Sequence, residues 1–233
     1  MARLAGRLVL REEKVMLYHK IESVFLRDPA TQHGTFLDGQ WTMPAFGYLA
    51  DLEWEWTEKV DGTNIRIALT ESGPVLGGKT EAAQIYAFLL PVLNEIGARG
   101  IGARGTGMGF LEGLTLVGEG YGPKIQSGGD YRPDHGFILF DVFTDHDNPL
   151  QRRDVEIIAT QLDIPVVPII GRGKLSAAIE QVQRGFLSEV AEGRRRAEGL
   201  VMRPTVELRD RQGHRIITKA KTKDFKAKTK DFM

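Results

Sequence analysis

EKVDGTN, residues 58–64, follows the strand-forming run LEWEWT at 52–57 and opens into NIRIALT at 64–70. The order strand, lysine, Asp-Gly, strand governs how the surrounding chain is read. Ile65, Ile67 and Leu69 alternate with Arg66 and Ala68, the period of a strand with one buried face. Asp61-Gly62 supports a tight turn, because glycine accepts positive φ. Lys59 then stands at a sheet edge, where its amine can face a pocket. A lysine used as a nucleophile needs a depressed pKa and a pocket that holds its electrophile. KxDG alone recurs by chance, so the other segments decide its meaning.

Outward from this turn the chain alternates short strands and helices. Residues 14–28 read as a strand entering a polar loop, and 29–48, with Pro, Gly and Asp signals, read as loop. The spacing in GGKTEAAQIYAFLLPVLNEI predicts a helix from about 81 to 95 with Thr80 as N-cap. LTLVGEGYG (114–122) and GFILFDVF (136–143) are strands. QRRDVEIIATQL (151–162) and KLSAAIEQVQRGFLSEVA (174–191) are amphipathic helices. EGLVMRPTVEL, the turn DRQG at 210–213 and HRIITKAK form a hairpin whose register the turn sets. Without regular βαβ alternation this is an α+β fold, with largely antiparallel sheets flanked by helices.

Two short duplications stand out. IGARG at 96–100 recurs at 101–105, and KAKTKDF at 219–225 recurs at 226–232. The first lacks the strand–loop–helix setting and the GK[ST] of a phosphate cradle, and reads as a flexible surface loop lengthened by duplication.

The 233 residues make one domain, or one domain with appendages. With 42% hydrophobic and 27% charged residues and a formal net charge of zero, overall charge announces no nucleic-acid partner, although the C-terminal segment is basic. The absence of cysteine excludes disulfides, cysteine nucleophiles and zinc–thiolate sites. The five histidines show no metal-binding spacing. The N-terminus carries no signal-peptide pattern, and apolar runs such as GFILFDVF are too short to span a bilayer. A soluble, intracellular, cytoplasmic protein that needs no membrane is expected.

Four further segments supply what nucleotidyl transfer needs. GEGYG offers Glu119 at the end of an apolar strand. FILFDVF offers Phe140 beside Asp141, EGLVMRP offers Glu198, and TKAK offers Lys219 and Lys221 on one strand face. In this order EKVDGTN, GEGYGPKIQ, FILFDV, EGLVMRP and TKAK resemble motifs I, III, IIIa, IV and V of the covalent nucleotidyltransferases, the polynucleotide ligases and mRNA capping enzymes. TEKVDGTNIRI, GEGYGPKIQSGG and HKIESVFLRD are most similar to ATP-dependent RNA ligases of the phage nick-sealing type, over most of residues 18–225.

The resemblance implies a nucleotidyltransferase (adenylation) domain over residues 1–225 and a mobile basic tail over 226–233. It implies Lys59 as the nucleophile that takes AMP from ATP. Glu58, Asn64, Lys79, Glu119 and Phe140 would bind the nucleotide, with Asn64 toward phosphate, Glu119 toward the ribose hydroxyls and Phe140 stacked on adenine. Phe137 competes for the stacking role. Lys79 takes the place of an arginine in many relatives, which a lysine cannot match in bidentate contact. Glu198 would bind Mg²⁺ or Mn²⁺ through water, and Lys219 and Lys221 would contact the α-phosphate. Only the first KAKTKDF copy would supply motif V. The implied partners are RNA ends, in nicked duplex or RNA/DNA hybrid, and an accessory protein in place of the family's further C-terminal domain; a phage origin fits. A DNA ligase catalytic domain, a guanylyltransferase and a non-catalytic nucleic-acid-binding pseudo-ligase are the competing readings.

Overall fold

A computed structural model describes residues 17–102, 111–144 and 148–225. In chain order it contains β1 (Glu22–Ser23), β2 (Phe25–Arg27), β3 (Phe36–Trp41), α1 (Pro44–Tyr48), β4 (Trp54–Lys59), β5 (Thr63–Thr70), β6 (Gly73–Gly77), α2 (Leu90–Gly102), β7 (Thr115–Tyr121), β8 (Gly136–Phe143), α3 (Arg152–Gln161), β9 (Ile169–Gly173), α4 (Leu175–Arg184), β10 (Gly199–Pro204) and β11 (Thr218–Lys221). One sheet runs β1-β11-β10-β4-β9, antiparallel except where β1 meets β11. A second, wholly antiparallel sheet runs β6-β5-β7-β8, and β2 pairs with β3. The α+β class with largely antiparallel sheets is therefore the observed one.

Each sheet buries one face. Ile65, Ile67 and Leu69 of β5 pack with Leu93 and Ile96 of α2 and Val155 of α3. Trp54 and Trp56 of β4 pack with Ile179 and Val182 of α4, and the Trp56 indole donates to Gln181 at 2.8 Å. Trp54 and Trp56 thus share the face of β4 that is turned into a core. By the period of two, Glu55, Thr57 and Lys59 face the other way, toward the space between the sheets. Val60–Gly62 is the crossing where the chain leaves the first sheet for the second.

Several local expectations are corrected. The helix expected from 81 begins as a 3-10 turn at Ala87–Leu89 and becomes α2 at Leu90, and residues 81–86 are irregular. Pro91 explains the start: proline suits the first helical turn and resists its interior. The first IGARG copy is helix rather than loop. A Cβ on Gly97 would sit 2.8 Å from Pro74 Cγ, and one on Gly100 would sit 2.8 Å from Leu69 Cδ1, so these glycines let α2 lie close on the second sheet. The second copy ends the helix at Gly102, and its remaining residues lie outside those described. Within the expected loop 29–48 lie β3 and α1, and β6 was not anticipated. The expected helix over 174–191 ends at Arg184. β10 and β11 do pair, Gly199↔Lys221 to Met202↔Thr218, but the turn bridge Arg209↔Arg215 is offset from that ladder, so the turn alone does not set it. The basic tail 226–233 lies outside the described residues.

Candidate active site

Between the sheets lies a cavity of about 470 Å³, within the usual range of small-molecule sites, roughly 300–1,000 Å³. Three cross-strand rows face it. Lys221, Gly199 and Lys59 lie side by side, then Lys219, Val201 and Thr57, then Arg203 and Glu55. The second sheet contributes Asn64, Glu119, Phe140 and Asp141 to the lining, and Lys79 joins from the segment after β6. Lys59, Lys219 and Lys221 share the cavity because all three fall on one face of a continuous ladder.

The cationic end has one deeply placed counter-charge. Glu198 lies beneath the lysines, its side chain 10% exposed; Lys59 Nζ donates to its Oε2 at 2.6 Å, and Lys221 Nζ pairs with its Oε1. Glu198 does not itself line the cavity, so a cation there would reach it past the lysines. Lys221, whose amine burial would push down, is instead raised by the hydrogen bond to Glu198. Lys219 has no ion-pair partner among the described residues. Burial, then the positive charges of Lys59, Lys79 and Lys221, lower its pKa. Lys79 and Lys219 thus leave uncompensated positive charge, as an anion site requires.

Glu119 faces this end from the second sheet. Burial pushes its carboxyl up to about 7, with Lys59 opposing and Glu198 and Asp61 adding to the rise. Beside it, Asn64 is paired with Glu119 across β5 and β7, and Asn64 Oδ1 is buried with no partner. That acceptor suits a ligand hydroxyl, and with the amide turned over its nitrogen suits a phosphate oxygen. Gly62 sits against Glu119 and Gly120: a Cβ there would come within 2.8 Å of Glu119 Cγ, and Gly62 is not among the residues of positive φ. The glycine of the Asp-Gly pair serves close approach to β7, not the turn conformation expected of it. The Tyr131 hydroxyl accepts from Asp61 N at 3.2 Å, and the Arg195 guanidinium lies 3.9 Å over the Tyr131 ring.

The structure separates Phe140 from Phe137. β7 and β8 pair Val117↔Asp141 and then Gly118↔Leu139, leaving Phe140 as the extra residue of a bulge. Phe137, Leu139 and Val142 therefore share the core with α2 and α3, while Phe140 and Asp141 both reach the cavity. Phe137 is 2% exposed and would touch a Cβ on Gly118. Phe140 is half-buried, with the Tyr18 ring edge-on at 5.4 Å.

Glu58 goes elsewhere. Its carboxylate, on the opposite strand face from Lys59, accepts from Ser188 Oγ at 2.5 Å and Glu189 N at 2.8 Å. Burial raises its pKa, and these hydrogen bonds oppose the rise. Glu58 lines the cavity, but its charged group is spent on holding the segment after α4 to β4.

The far end carries a network that sequence reading missed. Asp141 accepts from Arg203 and Arg215, each at 2.8 Å, and from the Tyr18 hydroxyl at 2.7 Å. Burial would raise the Asp141 carboxyl, but the two guanidiniums hold it below the ordinary carboxylate range. Arg215 also meets Glu207 at 2.7 Å, and Glu55 takes two bonds from Arg172. The one available signal was Asp141 in an otherwise apolar strand, since a buried charge requires partners.

Among the described residues no group of three His, Cys, Asp or Glu side chains could hold a metal alone. That donor set fits Mg²⁺ or Mn²⁺ held by one or two carboxylates together with water and phosphate oxygens, and Glu198 is the acid in contact with the lysines. No helix among the described residues is long and apolar enough to cross a membrane.

The fold is that of known ligases. A Naegleria gruberi RNA ligase mutant with AMP and Mn superimposes with TM-score 0.62 at 19% identity, covering 89% of this chain and 56% of that one. Another mutant of that ligase without ligand gives 0.58 at 18%, covering 90% and 56%, and a third with ATP and Mn gives 0.57 at 19%, covering 88% and 56%. The chain thus spans little more than half the length of these structures. No curated protein matches it. Residues 52–221, which run from β4 and its lysine to the last lysine of β11, match the family model for RNA ligase, and the chain belongs to that family.

Proposed function

We propose that this chain is the nucleotidyltransferase part of an ATP-dependent RNA ligase, with Lys59 as the nucleophile. The observation that carries this reading is the convergence of Lys59, Lys219, Lys221, Lys79, Glu119 and Phe140 on one cavity, from strands far apart in sequence. Lys59 Nζ would attack the α-phosphorus of ATP. A P–N bond forms, the bond from the α-phosphorus to the bridging oxygen breaks, pyrophosphate leaves, and the amine proton passes to Glu198 or water. AMP then moves to a 5′-phosphate on RNA, and a 3′-hydroxyl displaces it as the ends join.

Each residue has a task in that sequence. A lysine attacks only as the free amine, and at the reference pKa of about 10.4 a lysine is almost wholly protonated at neutral pH, so the proton must leave as the P–N bond forms. Lys219 and Lys79 neutralise phosphate charge as it shifts to the leaving group. Mg²⁺ or Mn²⁺ would add positive charge at the phosphates and draw on Glu198. Glu119 and Asn64 would hold the ribose and phosphate, and Phe140 would stack on adenine against Val201. The Asp141–Arg203–Arg215 network would fix the bulge that turns Phe140 inward.

The test is incubation with labelled ATP or GTP and Mg²⁺ or Mn²⁺, then denaturing separation. An acid-labile AMP adduct from ATP supports the reading. An adduct from GTP points to a capping-type enzyme, and RNA capture without any adduct points to a non-catalytic binder. Sealing assays on nicked RNA, DNA and hybrid duplexes then separate RNA from DNA ligase activity.

A further inference from the structure

Outside the nucleotide cavity, three rings form a column on the second sheet's surface. Tyr86 stacks on Phe88 with centroids 5.1 Å apart and planes 7° off parallel. Phe88 stacks on His135 at 4.4 Å and 21°. His135 Nε2 meets Pro123 O at 3.0 Å, which anchors the column to the loop after β7, and Phe88 packs on the core behind it. The outer ring is left open: Tyr86 is 44% exposed, with Phe88 on one side and no other ring contact among the described residues. A large aromatic stacked on one ring that is itself backed by another, and bare on its outer side, loses little freedom when a fourth ring is added.

The His135 end of the column is tied to a loop that also lines the cavity. Pro123 is three residues from Gln126, which lines the cavity, so those two backbones lie within about 11 Å at 3.8 Å per step. Lys79 lines the same cavity and is seven residues before Tyr86. Lys79 and Lys124 are exposed and have no ion-pair partner among the described residues, whereas Arg132 and Asp134 of the neighbouring loop neutralise each other. An aromatic face with unpaired lysines along its path is the combination that tracks a single strand: bases stack and phosphates follow the charge.

We propose that the outer face of Tyr86 stacks on an unpaired or terminal base of the RNA strand whose 5′-phosphate enters the cavity, with Phe88 and His135 holding Tyr86 flat. The inference rests on the RNA ligase reading. The stack orients the strand and takes no part in AMP transfer.

The test compares full-length chains carrying Tyr86→Ala, Tyr86→Leu or Tyr86→Trp, measuring AMP uptake from ATP and capture of a short 5′-phosphorylated single-stranded RNA. Tyr86→Ala and Tyr86→Leu are expected to weaken capture about 5- to 150-fold, the range for one lost base stack, with AMP uptake unchanged. Tyr86→Trp should capture RNA as well as the wild type. An abasic nucleotide at the stacked position should weaken wild-type capture by the same factor and add nothing to Tyr86→Ala. Capture by Tyr86→Ala at the wild-type level overturns the proposal, as does AMP uptake that falls in step with capture, which marks a structural buttress. A wild-type chain that captures RNA but never takes up AMP overturns the ligase reading and leaves the Tyr86 comparison standing.

Discussion

Glu119→Gln isolates the electrostatic cost of the site in the absence of any ligand. The Glu119 carboxyl sits at about 7 in the folded chain against an ordinary 4.5, chiefly through burial. Between those two pH values the folded chain holds a proton that the unfolded chain has released. Because the folded-state pKa is raised, the contribution is fully present below 4.5 and is lost as pH rises through about 7. At about 1.4 kcal/mol per pKa unit, the loss amounts to at most about 3.5 kcal/mol, since Glu119 keeps some contact with solvent. Glutamine has the same shape and no charge, so the variant escapes this loss. Urea unfolding of both chains at about pH 5, 6 and 8, free of nucleotide and metal, should show the glutamine chain gaining on the wild type as pH rises, by about 2–3 kcal/mol in all. A difference that stays constant across that range, or one favouring the wild type at high pH, refutes the assignment of Glu119 as the buried acid of the cavity.

Lys59→Ala and Lys59→Arg should both abolish the AMP adduct while far-ultraviolet circular dichroism stays native, because a guanidinium remains protonated at working pH; labelling at the wild-type level in either would remove Lys59 from its role. Phe140→Leu should raise the ATP requirement by about 1–3 kcal/mol with little change in melting, as one stacking contact is lost. Phe137→Leu should do the reverse and cost about 1–2 kcal/mol of stability, read by thermal unfolding. Asp141→Ala leaves Arg215 and Arg203 without their shared acceptor and should destabilise the chain by about 3–5 kcal/mol, which urea titration would register. Lys219→Ala should strongly impair adduct formation, whereas Lys226→Ala, in the second KAKTKDF copy, should leave it intact; the opposite pattern would exchange the two copies.

The sequence by itself determined the strand faces and the chemistry-bearing segments. A period of two put Ile65, Ile67 and Leu69 in a core and placed Lys219 and Lys221 together on one face, and no distant contact was needed to see it. EKVDGTN announced the lysine because side-chain type and short spacing are local properties. Local rules failed where two segments compete for the same position. Glu58 adjoins Lys59 in the chain, yet alternation turns its carboxylate to Ser188 on the other side of the sheet. Phe137 and Phe140 both sit in an apolar run, and only a bulge against β7 decides which one meets the cavity. IGARG looked like a loop because glycine is a poor helix former, but the close fit of Gly97 and Gly100 on Pro74 and Leu69 outweighed that preference. Glu198 is joined to Lys59, and Asp141 to Arg215, only across strands far apart in sequence. Their pairing depends on the register of one sheet and the approach of two. Those are set by the packing of the whole chain, which no short stretch of sequence contains.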